Sequence, residues 1–263
     1  MTLKALRTKL SDIDRQLVEL IAARQEIVGE IGRKKQTSGT ATRDFAREKE
    51  VVELGREQAA ALGLDPELAE SILTQLIETS LASQERDRVI AEGRGDGRSA
   101  LVIGGAGKMG QWFTKYFHDQ GFSVVVSSRT KSKVEALQSE FGVDVAQSNV
   151  DALEGADWIL LCVSLDSIDA VLKDIGPHVQ PDQVLMDIGS IKEISVNLMH
   201  KHVKHGVTLG THPVFGPGAK SLQGQNFVLT PIGDEEKQFA SEFRNWLEKR
   251  GATVSVLSPK QHD

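Results

Sequence analysis

Residues 99–113 read SALVIGGAGKMGQWF, and this stretch decides the fold of the C-terminal part of the 263-residue chain. A short apolar run leads into three glycines at the spacing G-x-G-x-x-G, and an aromatic segment typical of a helix follows. The glycines are Gly105, Gly107 and Gly110. In this pattern the first glycine permits a tight turn, the second lets the backbone approach a diphosphate, and the third lets helix and strand pack closely. With Lys108 and Met109 they form a predicted dinucleotide-binding loop.

The rest of the C-terminal part alternates short β-branched runs with helical stretches. The runs are ALVIG, SVVVSS, DWILLCVS, QVLMDI, GVTLG, NFVLT and ATVSVL. Strands separated by crossover helices are typical of a parallel sheet that is covered on both faces. We therefore predict that residues 99–263 form a Rossmann-type, doubly wound, mostly parallel sheet.

The N-terminal part has a different period. From Leu3 to Ile31 apolar residues recur at alternating spacings of three and four, which predicts one amphipathic helix of roughly 30 residues. At ~1.5 Å per residue such a helix is ~45 Å long, which exceeds the diameter of a small domain. It is therefore expected to need a partner chain.

Two further helices are predicted behind the first. One begins near Arg43 and ends near Leu62, where a glycine follows. The other begins at Asp65-Pro66, with the aspartate as N-cap, and ends near Arg88.

These patterns predict an all-helical domain over residues 1–90 and a nucleotide-binding domain over residues 99–263. Residues 91–98, AEGRGDGR, hold three glycines and no large apolar side chain, so they are predicted to be a flexible linker.

Composition excludes several classes of protein. The net charge is -6 and no dense run of Lys and Arg interleaves with aromatic residues, so no nucleic-acid partner is expected. The first residues lack the apolar stretch of a signal peptide, and no later run approaches the ~18 residues of a membrane span. A cytoplasmic protein without a membrane partner is therefore predicted. The single cysteine, Cys162, lies in the apolar run WILLCV and is interpreted as a buried thiol; no metal site is predicted.

Polar residues interrupt the apolar stripes of the three predicted helices. Arg24 and Lys35 fall within ~20° of one face of the first helix at ~100° per residue. Polar residues on the second helix share one face, and those on the third extend an apolar stripe. They are Asp44, Arg47 and Glu48, followed by Ser80 and Gln84. This predicts a polar pocket inside a helical bundle, although each residue alone also fits a solvated face or a satisfied ion pair.

Together with Arg7, this set resembles position by position the active-site residues of the all-helical chorismate mutases. The resemblance covers residues 1 to about 88. It implies an intertwined homodimer in which Arg7 reaches into the partner's site. It also implies that the reaction needs no cofactor, because a folded dianion is rearranged by positioning and electrostatics alone.

The same resemblance implies a role for each residue. Arg7 and Arg24 would hold the two carboxylates of chorismate, since a guanidinium binds a carboxylate through two hydrogen bonds. Lys35 and Gln84 would donate to the ether oxygen, which becomes negative as its bond to carbon breaks.

Acidic residues are expected on the ring side of that pocket. Glu48, helped by Asp44, would hold the ring hydroxyl of chorismate, and Arg47 would organise the carboxylates of these two side chains. Ser80 would lie beside the bound substrate.

The segment after the second predicted strand bears on the cofactor. Ser128 and Arg129 follow SVVVS, where an NAD site usually offers Asp or Glu to the ribose hydroxyls. A small polar residue followed by arginine suits a 2′-phosphate, so NADP is favoured and NAD remains open. In the alternative interpretation, Arg129 stacks on adenine or points to solvent.

Two motifs follow the predicted nucleotide-binding core: DIGSIKE, which contains Ser190, and GTHPVFGP, which contains His212. Spaced in this way they resemble prephenate dehydrogenases over roughly residues 98 to 263. The resemblance implies that His212 binds the 4-hydroxyl of prephenate and assists its deprotonation as hydride leaves C4. Ser190 would share that hydroxyl network. His262-Asp263 resembles the start of the helical domain that follows in this family, so that domain is expected to be missing here.

Both resemblances together predict a bifunctional chorismate mutase/prephenate dehydrogenase of tyrosine biosynthesis, with chorismate and prephenate as substrates. Two alternative functions remain for the second domain. The second domain could only sense NADP(H) and regulate the mutase, or it could reduce a different small acid. The HPVFGP loop argues against both.

Overall fold

The computed structural model describes residues 2–38, 43–92 and 95–263. The chain divides into two compact units, Met1–Arg88 and Val89–Asp263, each with its own architecture. None of the helices in the described ranges is long and apolar enough to cross a membrane.

The described part of the first unit is all helical, as predicted. Its helices are α1 (Leu3–Ser38), α2 (Phe45–Ala61) and α3 (Pro66–Glu92). The first is one uninterrupted helix of 36 residues, which at ~1.5 Å per residue is about 54 Å long. Asp44 caps α2 by accepting a hydrogen bond from the Arg47 amide at 3.0 Å. A short polar side chain at this position satisfies an amide that the helix leaves without a partner.

The third helix continues past the predicted end near Arg88 to Glu92, and so includes the first two residues of the predicted linker. The reason is that no glycine or proline occurs between Pro66 and Glu92. Gly95–Gly97 form one 3-10 turn, and residues 93–94 of the predicted linker lie outside the described residues.

Within one chain the apolar face of α1 is largely exposed. Leu10, Ile13 and Leu17 expose 59%, 54% and 54% of their surface. Helices α2 and α3 meet where Gly55 faces the Leu73 side chain and Arg56 pairs with Glu70. One chain therefore leaves the long helix without a complete apolar partner.

The second unit contains an eight-stranded sheet with the order β3-β2-β1-β4-β5-β6-β7-β8. Its strands are β1 (Ser99–Ile103), β2 (Ser123–Ser127), β3 (Asp144–Val145), β4 (Trp158–Leu161), β5 (Val184–Asp187), β6 (Val207–Pro213), β7 (Asn226–Thr230) and β8 (Thr253–Val256). Every neighbouring pair is parallel except β6 and β7. That pair is antiparallel because residues 214–225 contain no crossover helix. The two-residue strand β3 was not predicted, since it is too short to show a period.

Helices cover both faces of this sheet, which confirms the predicted doubly wound fold. They are α4 (Lys108–Asp119), α5 (Lys131–Phe141), α6 (Leu165–Ile175), α7 (Lys192–His202), α8 (Asp234–Glu248) and α9 (Pro259–His262). One core is aromatic and includes Phe117 of α4 and Phe243 of α8 against Trp158. The other is aliphatic and includes Leu172 of α6 and Met199 of α7.

The strand order reverses direction at β1, which has β2 on one side and β4 on the other. Connections therefore leave the carboxyl ends of β1 and β4 toward opposite faces of the sheet. A crevice at such a switch point is where open α/β sheets bind their ligands. The glycine-rich loop lies there, directly after β1.

The turn after β1 requires glycine at residue 104. Gly104 has a φ of 86°, and an added Cβ would run into the carbonyl of Cys162. Gly142 has a φ of 67°, but nothing lies within 4 Å of its added Cβ.

We expect Gly142→Ala to lower the free energy of unfolding by ~1–2 kcal/mol, the cost of a left-handed conformation for a residue with a Cβ. Gly104→Ala should lower it by a further ~1–3 kcal/mol, because its Cβ also overpacks the loop. Urea unfolding of both variants tests this; equal losses would show that the carbonyl contact costs nothing.

Candidate active sites

The glycine-rich loop is shaped by backbone that approaches backbone. The amides of Gly104 and Gly105 both donate to the Ser127 carbonyl, at 2.8 and 3.2 Å. Gly105, predicted to supply the tight turn, does not have a positive φ; Gly104 supplies that turn. Gly105 is needed because an added Cβ would strike Val126, and Gly110 because an added Cβ would strike the Gly104 carbonyl. At Gly110 the start of α4 therefore packs directly against the loop backbone that follows β1.

Gly107 has a more open environment. It is the extended N-cap residue of α4, it is exposed, and the nearest atom to an added Cβ is the Gly104 carbonyl oxygen at 3.3 Å. The first amides of a helix have no partner within the helix and carry a positive partial charge. A side chain at Gly107 would narrow the open side of the loop, where the first amides of α4 are exposed. Its shape and charge fit a diphosphate.

The two residues between these glycines differ in environment. Lys108 is exposed, whereas the Met109 side chain is partly buried against the aromatic core. Met109 therefore offers the loop its backbone amide, and Lys108 also offers a charge.

The end of β2 lies beside the loop, because Ile103 of β1 is in register with Ser127 of β2. The Ser127 hydroxyl hydrogen-bonds Asn149, and the Ser128 hydroxyl accepts from the Thr130 amide at 3.3 Å. Arg129 is exposed. A small hydroxyl and a guanidinium thus follow the strand that in dinucleotide-binding sheets faces the adenosine ribose.

His212 lies near the carboxyl end of β6, at the same edge of the sheet as the glycine loop, since β1, β4, β5 and β6 are all parallel. Its Nδ1 is 2.8 Å from Nε2 of His262. Burial, and then the neighbouring His262 and Lys192, lower the pKa of His212. The imidazole is therefore neutral at neutral pH and can accept a proton.

A buried ion pair lies beneath this histidine. The Lys192 ammonium donates to the Asp187 carboxylate at 2.6 Å and to the Thr211 carbonyl at 2.7 Å. Lys192 and Asp187 are both 0% exposed. Burial raises the pKa of Asp187 and lowers the pKa of Lys192, and their mutual attraction opposes both shifts. The pair joins β5, α7 and β6 below the site.

Sequence analysis did not identify the contacts of His262 and Asp263. Nδ1 of His262 is 2.8 Å from Oδ1 of Asp263, whose carboxylate accepts from the Lys192 and Glu193 amides at 2.7 and 2.9 Å. The available signal was the run Ser258-Pro259, a helix start that turns the chain back toward the sheet.

Two other interpretations concern the same edge. Ser190, predicted to share a hydroxyl network with His212, is exposed in the loop between β5 and α7, and no hydrogen bond joins these two described residues. Burial, with Asp187 second, raises the pKa of the Cys162 thiol, so the cysteine is protonated at neutral pH.

In the helical unit three residues of the predicted mutase set lie along the contact of α1 with α3. Nη1 of Arg24 donates to the Ser80 hydroxyl at 2.9 Å, and Nε2 of Gln84 donates to the Val28 carbonyl at 3.0 Å. Ser80 and Gln84 are buried. The Ser80 hydroxyl also approaches Gln25, at 3.2 Å, a contact that sequence analysis missed. These residues form a polar seam between two helices.

The other members of the predicted set are more dispersed within one chain. Glu48 accepts two hydrogen bonds at 3.1 Å from Arg43, which was not predicted as a site residue. Asp44 is occupied as a helix cap, and Arg47 is turned toward Glu50 at 2.6 Å. The remaining two members are Arg7, which is exposed, and Lys35, which is half-buried.

A cleft of ≈ 500 Å³ lies between α2 and α3. Glu48 is the member of the predicted set that lines it, beside Arg43, Arg56 and Glu70. Its lining carries both signs of charge, so one chain does not present a purely cationic site for a dianion.

Comparison with known protein families gives two matches. Residues 113–256, more than half of the chain, match the family "Prephenate dehydrogenase, nucleotide-binding domain". Residues 6–85 match the family "Chorismate mutase type II". The two matches lie on the sheet unit and on the helical unit.

Curated relatives cover different parts of the chain. A probable arogenate/prephenate dehydrogenase of Methanocaldococcus jannaschii is 38% identical over 164 residues, 62% of this chain and 37% of that protein. The T-protein of Enterobacter agglomerans is 28% identical over 261 residues, 99% of this chain and 65% of that protein. The chain therefore spans less than two thirds of the length of either relative.

Among solved structures, prephenate dehydrogenase from Aquifex aeolicus in complex with hydroxyphenyl propionate and NAD+ has a TM-score of 0.53 at 19% identity. The likeness covers 63% of this chain and 61% of that chain. At this identity it shows a shared fold, that of the sheet unit.

Removing one partner of the buried ion pair should be costly. Lys192→Met leaves the Asp187 carboxylate buried without its cation, which should cost about 3–5 kcal/mol at neutral pH. Without Lys192 the pKa of Asp187 rises further above its unfolded value, so the folded state holds the proton more tightly. The variant should therefore lose stability as pH rises from ~4.

The double variant Asp187→Asn/Lys192→Met is the control, because it removes both charges. It should be more stable than Lys192→Met at pH 8, and its free energy of unfolding should not fall with rising pH as that of Lys192→Met does. Urea unfolding between pH 5 and pH 8 gives the comparison. A Lys192→Met variant whose free energy of unfolding does not change with pH would contradict the ion pair.

Proposed function

Because the chain belongs to the prephenate dehydrogenase family through its nucleotide-binding domain, and a chorismate mutase type II domain precedes that domain, we propose a bifunctional enzyme of tyrosine biosynthesis. The helical unit would rearrange chorismate to prephenate, and the sheet unit would oxidise prephenate to 4-hydroxyphenylpyruvate. The observation that carries this proposal is the presence of both domains in one chain, since the first product is the second substrate.

The mutase half acts by holding a dianion in a compact conformer. Arg24 is anchored on Ser80 at 2.9 Å, which supports its use as a fixed carboxylate partner. Gln84 is held by its bond to the Val28 carbonyl, and the helical period puts Lys35 within ~20° of Arg24 around α1. From there the ammonium and the amide donate to the ether oxygen, where negative charge develops as its bond to carbon breaks.

We propose that this half is a homodimer built on α1. The exposed leucines and isoleucines along a 36-residue helix support it, because a second copy would cover them. Arg7, exposed in one chain, would then complete the partner's site. A monomeric sedimentation coefficient at micromolar concentration would contradict the dimer.

The dehydrogenase half places a base at the edge where the dinucleotide loop lies. A nicotinamide dinucleotide, when bound, supplies the hydride acceptor. Gly104, Gly107 and the first turn of α4 would hold its diphosphate. His212 accepts the proton of the substrate's 4-hydroxyl, and its lowered pKa keeps the imidazole in the accepting form at neutral pH. Ser190 would contribute to the same hydroxyl network from the neighbouring loop.

We propose NADP as the preferred cofactor, with NAD as the alternative. Ser128 and the exposed Arg129 support NADP, because a 2′-phosphate needs a cation and no acidic residue beside it. The NAD+ of the Aquifex structure is a property of that protein.

A coupled assay tests the function as a whole. Chorismate is supplied with NADP or NAD, and reduced nicotinamide is followed by absorbance. Formation of the reduced cofactor from chorismate supports both activities. Prephenate formation alone would limit the proposal to the mutase, and tight cofactor binding without turnover of added prephenate would favour a sensing domain.

Lys35→Ala should raise the activation free energy of the mutase reaction by about 3 kcal/mol, because it removes a donor to the transition state. Turnover should therefore fall roughly a hundredfold. Lys34→Ala is the matched control, since one position along α1 turns the side chain to a different face. Rates of chorismate loss at saturating substrate give the comparison. A near-normal rate for Lys35→Ala would remove it from the mechanism.

Arg129→Ala should weaken NADP binding by ~1.5–3 kcal/mol, the value of a hydrogen bond to a charged group, and leave NAD binding almost unchanged. The exposed Lys133 on α5 provides the control Lys133→Ala. Titration calorimetry with each cofactor measures the effect. Equal losses for both cofactors would overturn the NADP preference.

A further inference from the structure

A histidine serves as a base through one nitrogen only, and the hydrogen bond at the other nitrogen decides which one. In His212 the engaged nitrogen is Nδ1, which lies 2.8 Å from Nε2 of His262. For Nε2 of His212 to accept a proton, Nδ1 must carry the hydrogen and donate it. His262 must then present a lone pair.

We propose that His262 and Asp263 are positioning residues that fix His212 in the Nδ1–H tautomer, so that its Nε2 is the basic nitrogen. This proposal rests on the proposed dehydrogenase function of His212. Neither residue touches the reacting atoms; both act through His212.

The direction of the hydrogen bonds follows from Asp263. An ionised carboxylate can only accept, so Nδ1 of His262, at 2.8 Å, must donate to it. In the neutral His262 imidazole, Nε2 then carries no hydrogen and can only accept from His212. The carboxylate thus sets the tautomer of two imidazoles in turn.

Asp263 is held in place and kept ionised by the start of α7. Its two oxygens accept from the amides of Lys192 and Glu193 at 2.7 and 2.9 Å. Burial alone would raise the pKa of Asp263, but these two bonds and His262 outweigh it and lower the pKa to about 2. The carboxylate is therefore ionised at every pH at which the protein is expected to work.

The local fold explains how the last turn reaches His212. The Leu257 amide extends the ladder by donating to the Leu229 carbonyl at 3.0 Å, and α9 then starts with Ser258 as N-cap. Ser258 and Gln261 cap each other's backbone amides, which fixes this short helix. His262 is left with only 8% of its side chain exposed.

The proton balance of the step is simple. The substrate's O–H bond breaks, its proton moves to Nε2 of His212, and the electron pair on oxygen forms the carbonyl. A bound nicotinamide dinucleotide would take the hydride that leaves C4. Loss of CO₂ returns an electron pair to the ring oxygen, which takes the proton back. During the step His212 is an imidazolium whose Nδ1–H bonds His262, with the Asp263 charge behind it.

The first test does not need activity. In the ¹⁵N-histidine-labelled full chain at pH 8, the ring nitrogens of His212, identified by their loss in His212→Gln, should show protonated Nδ1 and unprotonated Nε2. In Asp263→Asn the side-chain NH₂ group can donate to Nδ1 of His262. Both hydrogen bonds of the His212–His262–Asp263 relay then reverse, so Nε2 of His212 should be protonated. Protonated Nε2 in the parent, or an unchanged tautomer in Asp263→Asn, would overturn the proposal.

The second test measures prephenate oxidation. Loss of the directing aspartate in a direct Asp–His pair costs about 10⁴ in kcat; with one more imidazole between them we expect a loss of ~10²-fold in Asp263→Asn, in kcat rather than KM. His262→Gln, whose amide oxygen can still accept from His212, should keep most of the rate, and His262→Leu should not. The exposed His205 provides the control His205→Gln.

These two tests separate this proposal from the function on which it rests. If the parent chain does not oxidise prephenate, the proposed function fails, while the expected tautomers would still establish the relay. If the parent is active and Asp263→Asn and His262→Leu both keep full kcat, the relay is refuted and the function stands.

Discussion

The sheet edge that carries His212 depends on one buried ion pair. A fully buried ammonium is stable only when its charge is balanced and its hydrogens are accepted. Lys192 meets this condition by bonding Asp187 at the end of β5 and the Thr211 carbonyl on β6, so three elements are held at one point. The same residue offers its backbone amide to Asp263 and thereby anchors α9. The position of His212 and the position of its neighbour His262 thus have a common support.

The opposite end of the crevice is governed by close approach of backbone. Gly104 and Gly110 lack the space for a Cβ because the carbonyls of Cys162 and Gly104 come too near, and Gly105 lacks it because of the Val126 side chain. That closeness brings the start of α4 over the end of β1, where its free amides face the crevice. The shape and charge of this turn fit a diphosphate without any cationic side chain, and the role proposed for Arg129 is contact with a 2′-phosphate.

The helical unit is organised differently, because its polar groups lie between helices and not at the end of a sheet. Arg24, Ser80 and Gln84 are fixed by bonds to each other or to backbone. Arg7 and the apolar face of α1 are not covered within one chain. One chain therefore fixes part of the predicted polar site, and a second copy is the proposed source of Arg7 and of a cover for the apolar face of α1.

The sequence by itself determined the helical and sheet regions, the glycine loop and most strands, because periodicity and the G-x-G-x-x-G spacing are local properties. It also placed His212 and the polar positions of the helices. It could not determine the two-residue strand β3 or the antiparallel β7, since these depend on which strands lie nearby. Nor could it pair His212 with His262, fifty positions away. Such contacts arise only when the chain is folded, because hydrogen bonds between distant residues follow from the path of the backbone and not from spacing along it.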